Sequence, residues 1–183
     1  MDRSLVEKAR RGDRDAYESL AHASARRLYL IAHRVVRDAD QAEDAVQQTL
    51  IAMWRELPSL RDPDRFESWT YRLVVRFCLA ESRRHRRAGI RQIPINELLP
   101  SRTDDFADAD LRDQLSRALH DLSVEHRMVV VLHHYAGLPL AEIAEILGIP
   151  YGTVGSRLHH ATRAMRASLA AADRAPATGR HPA

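Results

Sequence analysis

The chain has 183 residues, a formal net charge of +3, 45% hydrophobic and 29% charged residues, which allows one domain or two small ones with true apolar cores and excludes a large catalytic barrel. Seven Gly, eight Pro and 5% aromatic residues argue against an all-β fold, and the single cysteine, Cys78, excludes an intrachain disulfide and a multi-cysteine zinc site. No apolar run approaches the roughly 20 residues a membrane helix needs, and Met1-Asp2-Arg3-Ser4 opens no apolar signal core, so the chain is expected to stay in the cytoplasm where it is made.

From Asp15 to Val36, Tyr17, Leu20, Ala21, Leu28, Ile31, Ala32 and Val35 recur at helical spacing and predict one long amphipathic helix. Asp40 followed by Glu43 resembles a capping box and starts a second helix. Ala45, Val46, Thr49, Leu50, Met53, Trp54 and Leu57 form its inner face up to Pro58, with Asp40, Glu43, Asp44, Gln47 and Gln48 outside. Taken alone, that polar face is what any surface helix shows. A Pro-, Asp- and Arg-rich connection, Pro58 to Arg65, leads to a third helix from near Phe66 through Trp69, Leu73 and Phe77 to Arg83-Arg84-His85-Arg86-Arg87, and these three helices are expected to close a first domain. Within it Arg72, Arg76, Arg83 and Arg87 share one stripe, flanked by Arg84 and Arg86. The stripe suits a polyanion, with Trp69 and Tyr71 as stacking surfaces for unpaired bases. It equally suits a solvated helix end whose cations favour the dipole.

Residues 89–110 lose periodicity and hold Gly89, Pro94, Pro100, Asp104, Asp105, Asp108 and Asp110, and read as a flexible linker. Charge follows this division, at +5 over 1–91, −3 over 92–118 and +1 over 119–183. Leu115, Leu119 and Leu122 then suggest a helix, and Ser123 caps another that buries Met128, Val129, Leu132 and Tyr135 before stopping at Gly137. Leu140, Ile143, Ala144 and Leu147, the turn Gly148-Ile149-Pro150, and a helix with Val154, Leu158, Ala161 and Met165 inward complete a helix-turn-helix pattern. Pro150 suits the first helical turn because it has no N–H to leave unpaired, and Gly148 tolerates the left-handed backbone of a cap. In such a motif the second helix enters the major groove, so Tyr151, Gly152, Thr153, Ser156, Arg157, His160 and Arg163 become candidate DNA contacts. An αα-hairpin used only for packing is the alternative. After Leu169 the Pro- and Gly-containing tail is expected to be disordered.

Catalytic groupings do not assemble. The ten histidines include His133-His134 and His159-His160, but no two lie three or four residues apart, as helical metal ligands would. There is no phosphate-cradling glycine loop and no Gly-x-Ser-x-Gly elbow. No cofactor or metal is expected.

Three segments, in order, resemble the two-domain extracytoplasmic-function (ECF) group of the sigma-70 family of bacterial sigma factors: Asp40-Gln-Ala-Glu-Asp-Ala-Val-Gln-Gln-Thr-Leu50, Phe66-Glu-Ser-Trp-Thr-Tyr-Arg72 with its arginine-rich continuation, and Leu140 to Val154 ending in Ser156-Arg-Leu-His159. The resemblance implies an all-α chain of two small helical domains: residues 1–88 as sigma region 2, 89–110 as linker, 111–171 as the helix-turn-helix region 4, and 172–183 as a disordered tail. It further implies a non-enzymatic initiation factor. Asp40, Glu43, Asp44, Gln47 and Gln48 would dock on the clamp helices of the largest subunit of core RNA polymerase. Arg61, Trp69, Tyr71, Arg72, Arg76, Arg83, Arg84, Arg86 and Arg87 would read the minus-ten element and hold the opened strand. Tyr151, Gly152, Thr153, Ser156, Arg157, His160 and Arg163 would read the minus-thirty-five element, region 4 would touch the polymerase flap, and an anti-sigma factor would cover one or both domains. Where Arg76 stands the family often has Asn, and basic residues common at Gly155, His160 and Thr162 are missing, which shifts the upstream contact toward Arg157 and Arg163.

Overall fold

The computed structural model describes residues 1–87 and 106–172, which form α-helices joined by short turns with no strand among them. The helices are α1 Arg3–Arg10, α2 Arg14–Val36, α3 Ala39–Glu56, α4 Phe66–Arg87, α5 Phe106–His120, α6 Val124–Val130, α7 Leu140–Leu147 and α8 Tyr151–Ala172. The expected linker and tail lie outside the described residues, except that α5 starts at Phe106 and takes in the last five positions assigned to the linker.

A helix that periodicity did not predict opens the chain. Asp2 caps α1 by accepting from the Ser4 N–H at 2.9 Å, and Val6 and Ala9 are its only buried residues. Two apolar anchors in eight residues are too few to register as a pattern, and so short a helix depends on tertiary packing. An Arg3–Asp64 ion pair at 2.7 Å ties it to the turn before α4. The start of α3 also differs from expectation. Arg37 adopts a left-handed backbone (φ 62°) that turns the chain straight after α2, so Asp38 rather than Asp40 is the cap, accepting from the Gln41 N–H at 2.9 Å. Asp40 already lies in the first helical turn, where its charge favours the dipole.

Leu20, Leu28, Ile31 and Val35 of α2, Met53 of α3, and Phe66, Val74 and Cys78 of α4 make the first core. Burial pushes the Cys78 thiol up to about 12, so it stays protonated as a small apolar group. Two expected core residues lie outside: Trp54 is 41% exposed and Tyr135 39%. Tyr135 is displaced because α6 runs on into a π-helical turn, Val131–Tyr135, whose extra residue rotates the following side chains outward.

In the second domain Gly148 (φ 64°) ends α7 in the left-handed cap expected of it, and the Pro150 carbonyl accepts from the N–H groups of Thr153 and Val154 to start α8. Gly155 lies within α8 with an ordinary backbone, and a Cβ added there would meet nothing within 4 Å. Gly155→Ala is therefore expected to raise unfolding stability by about 0.5–1 kcal/mol through the lost flexibility of the unfolded chain. Urea denaturation checks this, and a fall in stability would mean a contact that the fold does not show.

The two halves are not separate bodies. Among the described residues Met128, Val129, Leu132, Ile143, Ile146 and Val154 belong to one continuous core with the first domain, and Leu122, Val130 and Ala161 form a satellite cluster. Helix α2 packs on α6 and its π turn, and α4 packs on α7.

Candidate nucleic-acid interface

Helix α4 presents the arginine stripe. Arg72, Arg76, Arg83, Arg84, Arg86 and Arg87 are all exposed, as is Arg61 in the preceding loop. Pro63 is buried, and Asp62 caps the turn Pro63–Arg65, so the loop is anchored where it meets α4. Two of the arginines have carboxylate partners on α3: Arg76 pairs with Glu56 at 2.9 Å and Arg84 with Asp44 at 3.2 Å. Exposed pairs of this kind contribute about 0–1 kcal/mol, so both guanidiniums remain available to phosphates.

Tyr71 departs from its expected role. It is only 2% exposed, its ring lies 5.4 Å from the Arg27 guanidinium, and burial pushes its hydroxyl up to about 12. A base cannot stack on a ring already enclosed by the core, so Tyr71 supports α4 from inside and is withdrawn from the strand-contacting set. Trp69 is half-buried, 6.0 Å from the Phe66 ring, with part of its surface lining a cleft of about 460 Å³.

The outward face of α3 carries Asp40, Glu43, Gln47 and Gln48, all exposed, with Asp44 half-buried. It also carries two apolar residues assigned to the core from the sequence or passed over by it. Ile51 and Trp54, 39% and 41% exposed, continue the Gln47–Gln48 face by one and two helical turns. The Trp54 ring is held edge-on by Tyr17 at 4.8 Å, and the Tyr17 hydroxyl donates to the Leu50 carbonyl. Helical spacing could have found this patch, because Ile51 and Trp54 lie on the same side as Gln47 rather than with Val46 and Met53.

On α8, Tyr151, Gly152, Ser156, His160 and Arg163 are exposed along one side, and Thr153 and Arg157 are half-buried. Ser156 donates to the Thr153 carbonyl at 3.0 Å, which leaves its hydroxyl free to accept. Arg157 reaches the field of Glu125, whose carboxyl is held below its ordinary range mainly by the backbone N–H at the start of α6, with Ser123, Arg86 and Arg157 adding to it. Behind this face, Leu115, Leu119, Val131, Met165 and Leu169 line an apolar groove of about 390 Å³. Leu115 is 37% exposed at this groove, and the half-buried Leu119 also packs against the cluster of Leu122, Val130 and Ala161. The described residues bring no three metal-ligating side chains together.

The model of "Sigma-70 region 2" matches residues 20–88, and that of "Sigma-70, region 4" matches residues 112–165. The chain is 37% identical over 145 residues to the ECF RNA polymerase sigma factor SigL of Mycobacterium tuberculosis, covering 78% of this chain and 82% of that protein. The chain belongs to the ECF group of sigma-70 factors. This sigma factor is also 26% identical to SigW of Bacillus subtilis over 92% of its own length and 97% of SigW. Among solved structures it resembles CnrH in complex with the cytosolic domain of CnrY, at a TM-score of 0.69 and 26% identity over 93% of this chain and 97% of that one. The sigma factor RpoE in complex with the anti-sigma factor NepR from Bartonella quintana shares the fold, at a TM-score of 0.71 and 23% identity over 86% and 98%. As a sigma factor the chain binds core RNA polymerase and directs promoter recognition and DNA opening. None of its described helices is long and apolar enough to cross a membrane.

Proposed function

We propose a division of labour among three surfaces. The α3 face, Asp40, Glu43, Asp44, Gln47 and Gln48 extended by Ile51 and Trp54, docks on the clamp helices of the largest polymerase subunit. Arg61, Trp69, Arg72, Arg76, Arg83, Arg84, Arg86 and Arg87 hold the opened minus-ten strand, and Tyr151, Gly152, Thr153, Ser156, Arg157, His160 and Arg163 read the minus-thirty-five element. The observation that carries this reading is the adjacency of α3 and α4 on one domain, where the Asp44–Arg84 pair joins a polar docking face to an exposed arginine stripe. A basic surface that prefers single strands offsets the stacking energy lost on melting.

The domains run from 1 to 88 and from 111 to 171, with α5 entering the second slightly early. The apolar groove on the second domain receives a helix, from the polymerase flap or from an anti-sigma factor. Support for a protein inhibitor comes from CnrH, a relative in fold and sequence, which was captured with CnrY. The factor performs no catalysis of its own and works in the cytoplasm, where its polymerase is. Transcription with purified core polymerase on genomic fragments, followed by start-site mapping, tests the whole scheme.

Arg157→Ala is expected to cost about 1–3 kcal/mol of discrimination for promoters that contain the upstream element. Promoters without it should be unaffected, and an equal loss on both would remove Arg157 from base reading.

A further inference from the structure

Three basic side chains from three helices meet at the C-terminal end of α2: Arg37 just past α2, His120 of α5 and Arg127 of α6. Arg127 is 3% exposed. One of its terminal nitrogens donates to the Leu122 carbonyl at 3.2 Å, while Nε and the other terminal nitrogen have no hydrogen-bond partner among the described residues. Arg37 donates from one terminal nitrogen to the Ser116 hydroxyl of α5 and leaves its own buried Nε unpartnered. Each of these groups feels the others. Burial first, then Arg127 and Arg37, lower the His120 imidazole against a small opposing pull from Asp121. Burial, helped by Arg37 and opposed by Glu125, brings the Arg127 guanidinium down to about 10.

Among the described residues no carboxylate pairs with either guanidinium. Asp113, whose field reaches Arg37, is bound to Arg117 at 3.4 Å. Buried N–H groups without acceptors are costly, and two neighbouring cations without an anion more so. The backbone points the same way. Arg37 takes a left-handed conformation, φ 62°, which no other described residue except glycine adopts. Glycine, or less often asparagine, is the usual residue at such a helix end. Arginine has no advantage in that turn, and what it contributes is a guanidinium directed at α5 and α6.

We propose that Arg37, Ser116, His120 and Arg127 form a binding site for a phosphate group, carried either by the free ion or by a nucleotide. A tetrahedral oxyanion can accept from both guanidinium forks, from the imidazole and from the hydroxyl, and its charge cancels the repulsion among them. Arg127 is the floor of the site. Arg37, Ser116 and His120 are half-buried, so a solute reaches the floor from their side. None of the four residues belongs to the strand-contacting set on α4 or to the reading face of α8.

The test titrates the full chain in chloride buffer with inorganic phosphate, pyrophosphate and ATP, and with adenosine as the phosphate-free control, by calorimetry. One phosphate per chain is expected to bind, and adenosine is not. Tighter binding of ATP than of the two inorganic anions assigns the phosphate to a nucleotide, and phosphate bound as tightly as ATP assigns it to the free ion. The ring protons of His120, followed by NMR, should titrate at higher pH in phosphate, because an anion beside the imidazole offsets Arg127 and Arg37. Phosphate held by arginines elsewhere would leave that signal unchanged.

Arg37→Gly and Arg127→Met are each expected to weaken phosphate binding about tenfold. Arg37→Gly also relieves the left-handed backbone, so in chloride it should melt no lower than wild type while losing the rise in melting temperature that phosphate gives wild type. A purely structural Arg37 would instead lose stability with phosphate affinity intact. If Arg127→Met does not fold, Arg37→Gly decides the matter alone. A His120 signal in wild type that ignores phosphate, or Arg37→Gly that binds phosphate as tightly as wild type, overturns the site. Weaker binding of Arg37→Gly to core polymerase in phosphate-free buffer also overturns it, since the partner would then be a carboxylate of the polymerase.

Discussion

Trp54→Ala is expected to weaken binding to core RNA polymerase by about 30-fold, the loss of roughly 2 kcal/mol typical of a central aromatic anchor. Trp54 is a large apolar side chain left 41% exposed on a helix whose neighbouring outward residues are Gln47, Gln48 and Ile51. Tyr17 holds the ring in place, so little conformational entropy is lost when a partner covers it. Because much of the ring is already in water, the free protein should lose only about 1 kcal/mol of stability, in proportion to the apolar area it gives up. Fluorescence anisotropy with labelled sigma factor and purified core enzyme measures the affinity, and thermal unfolding measures the fold. Gln48→Ala, at the polar rim, should cost less than tenfold. Unchanged polymerase affinity in Trp54→Ala would move the docking face off this side of α3.

The second large effect is on stability. Phe66→Ala is expected to cost about 3–5 kcal/mol, the range for emptying an aromatic site in a packed core. Phe66 is 1% exposed at the first residue of α4, beside Trp69 and the buried Pro63, and the neighbouring Leu60 is also buried. Native domains have only about 5–15 kcal/mol in total, so the loss removes a large part of the margin. It also falls where the loop before α4 joins its helix. Circular dichroism followed through a urea titration measures the loss. A loss below 1 kcal/mol would mean that the site collapses around the missing ring.

Much of this molecule was legible in the sequence. The long helices α2, α3, α4 and α8 follow apolar periodicity, and the helix-turn-helix follows from Gly148 and Pro150, whose backbone preferences act at the point where they stand. Family membership followed from motif order, because three segments in sequence constrain far more than any one of them. Local signals failed where the deciding interaction was distant. Helix α1 forms because Val6 and Ala9 find a core that other helices build. The cap of α3 is Asp38 for a local reason that apolar periodicity does not carry: Arg37 ends α2 in a left-handed conformation, its N–H donating to the His33 carbonyl.

The chain's order of residues determined which long helices exist, which of them carry arginine or carboxylate on the outside, and which family they make, since these depend on periodicity and charge within a few turns. Only the packed molecule decided that Tyr71 faces the core, that Trp54 and Ile51 face outward, and that Glu145 meets Arg65 80 positions away. A helix's sequence specifies an apolar stripe but not the edges of that stripe. Whether a residue at the margin is covered depends on the neighbour that packs there, and the neighbour is chosen by the whole chain's burial of apolar surface.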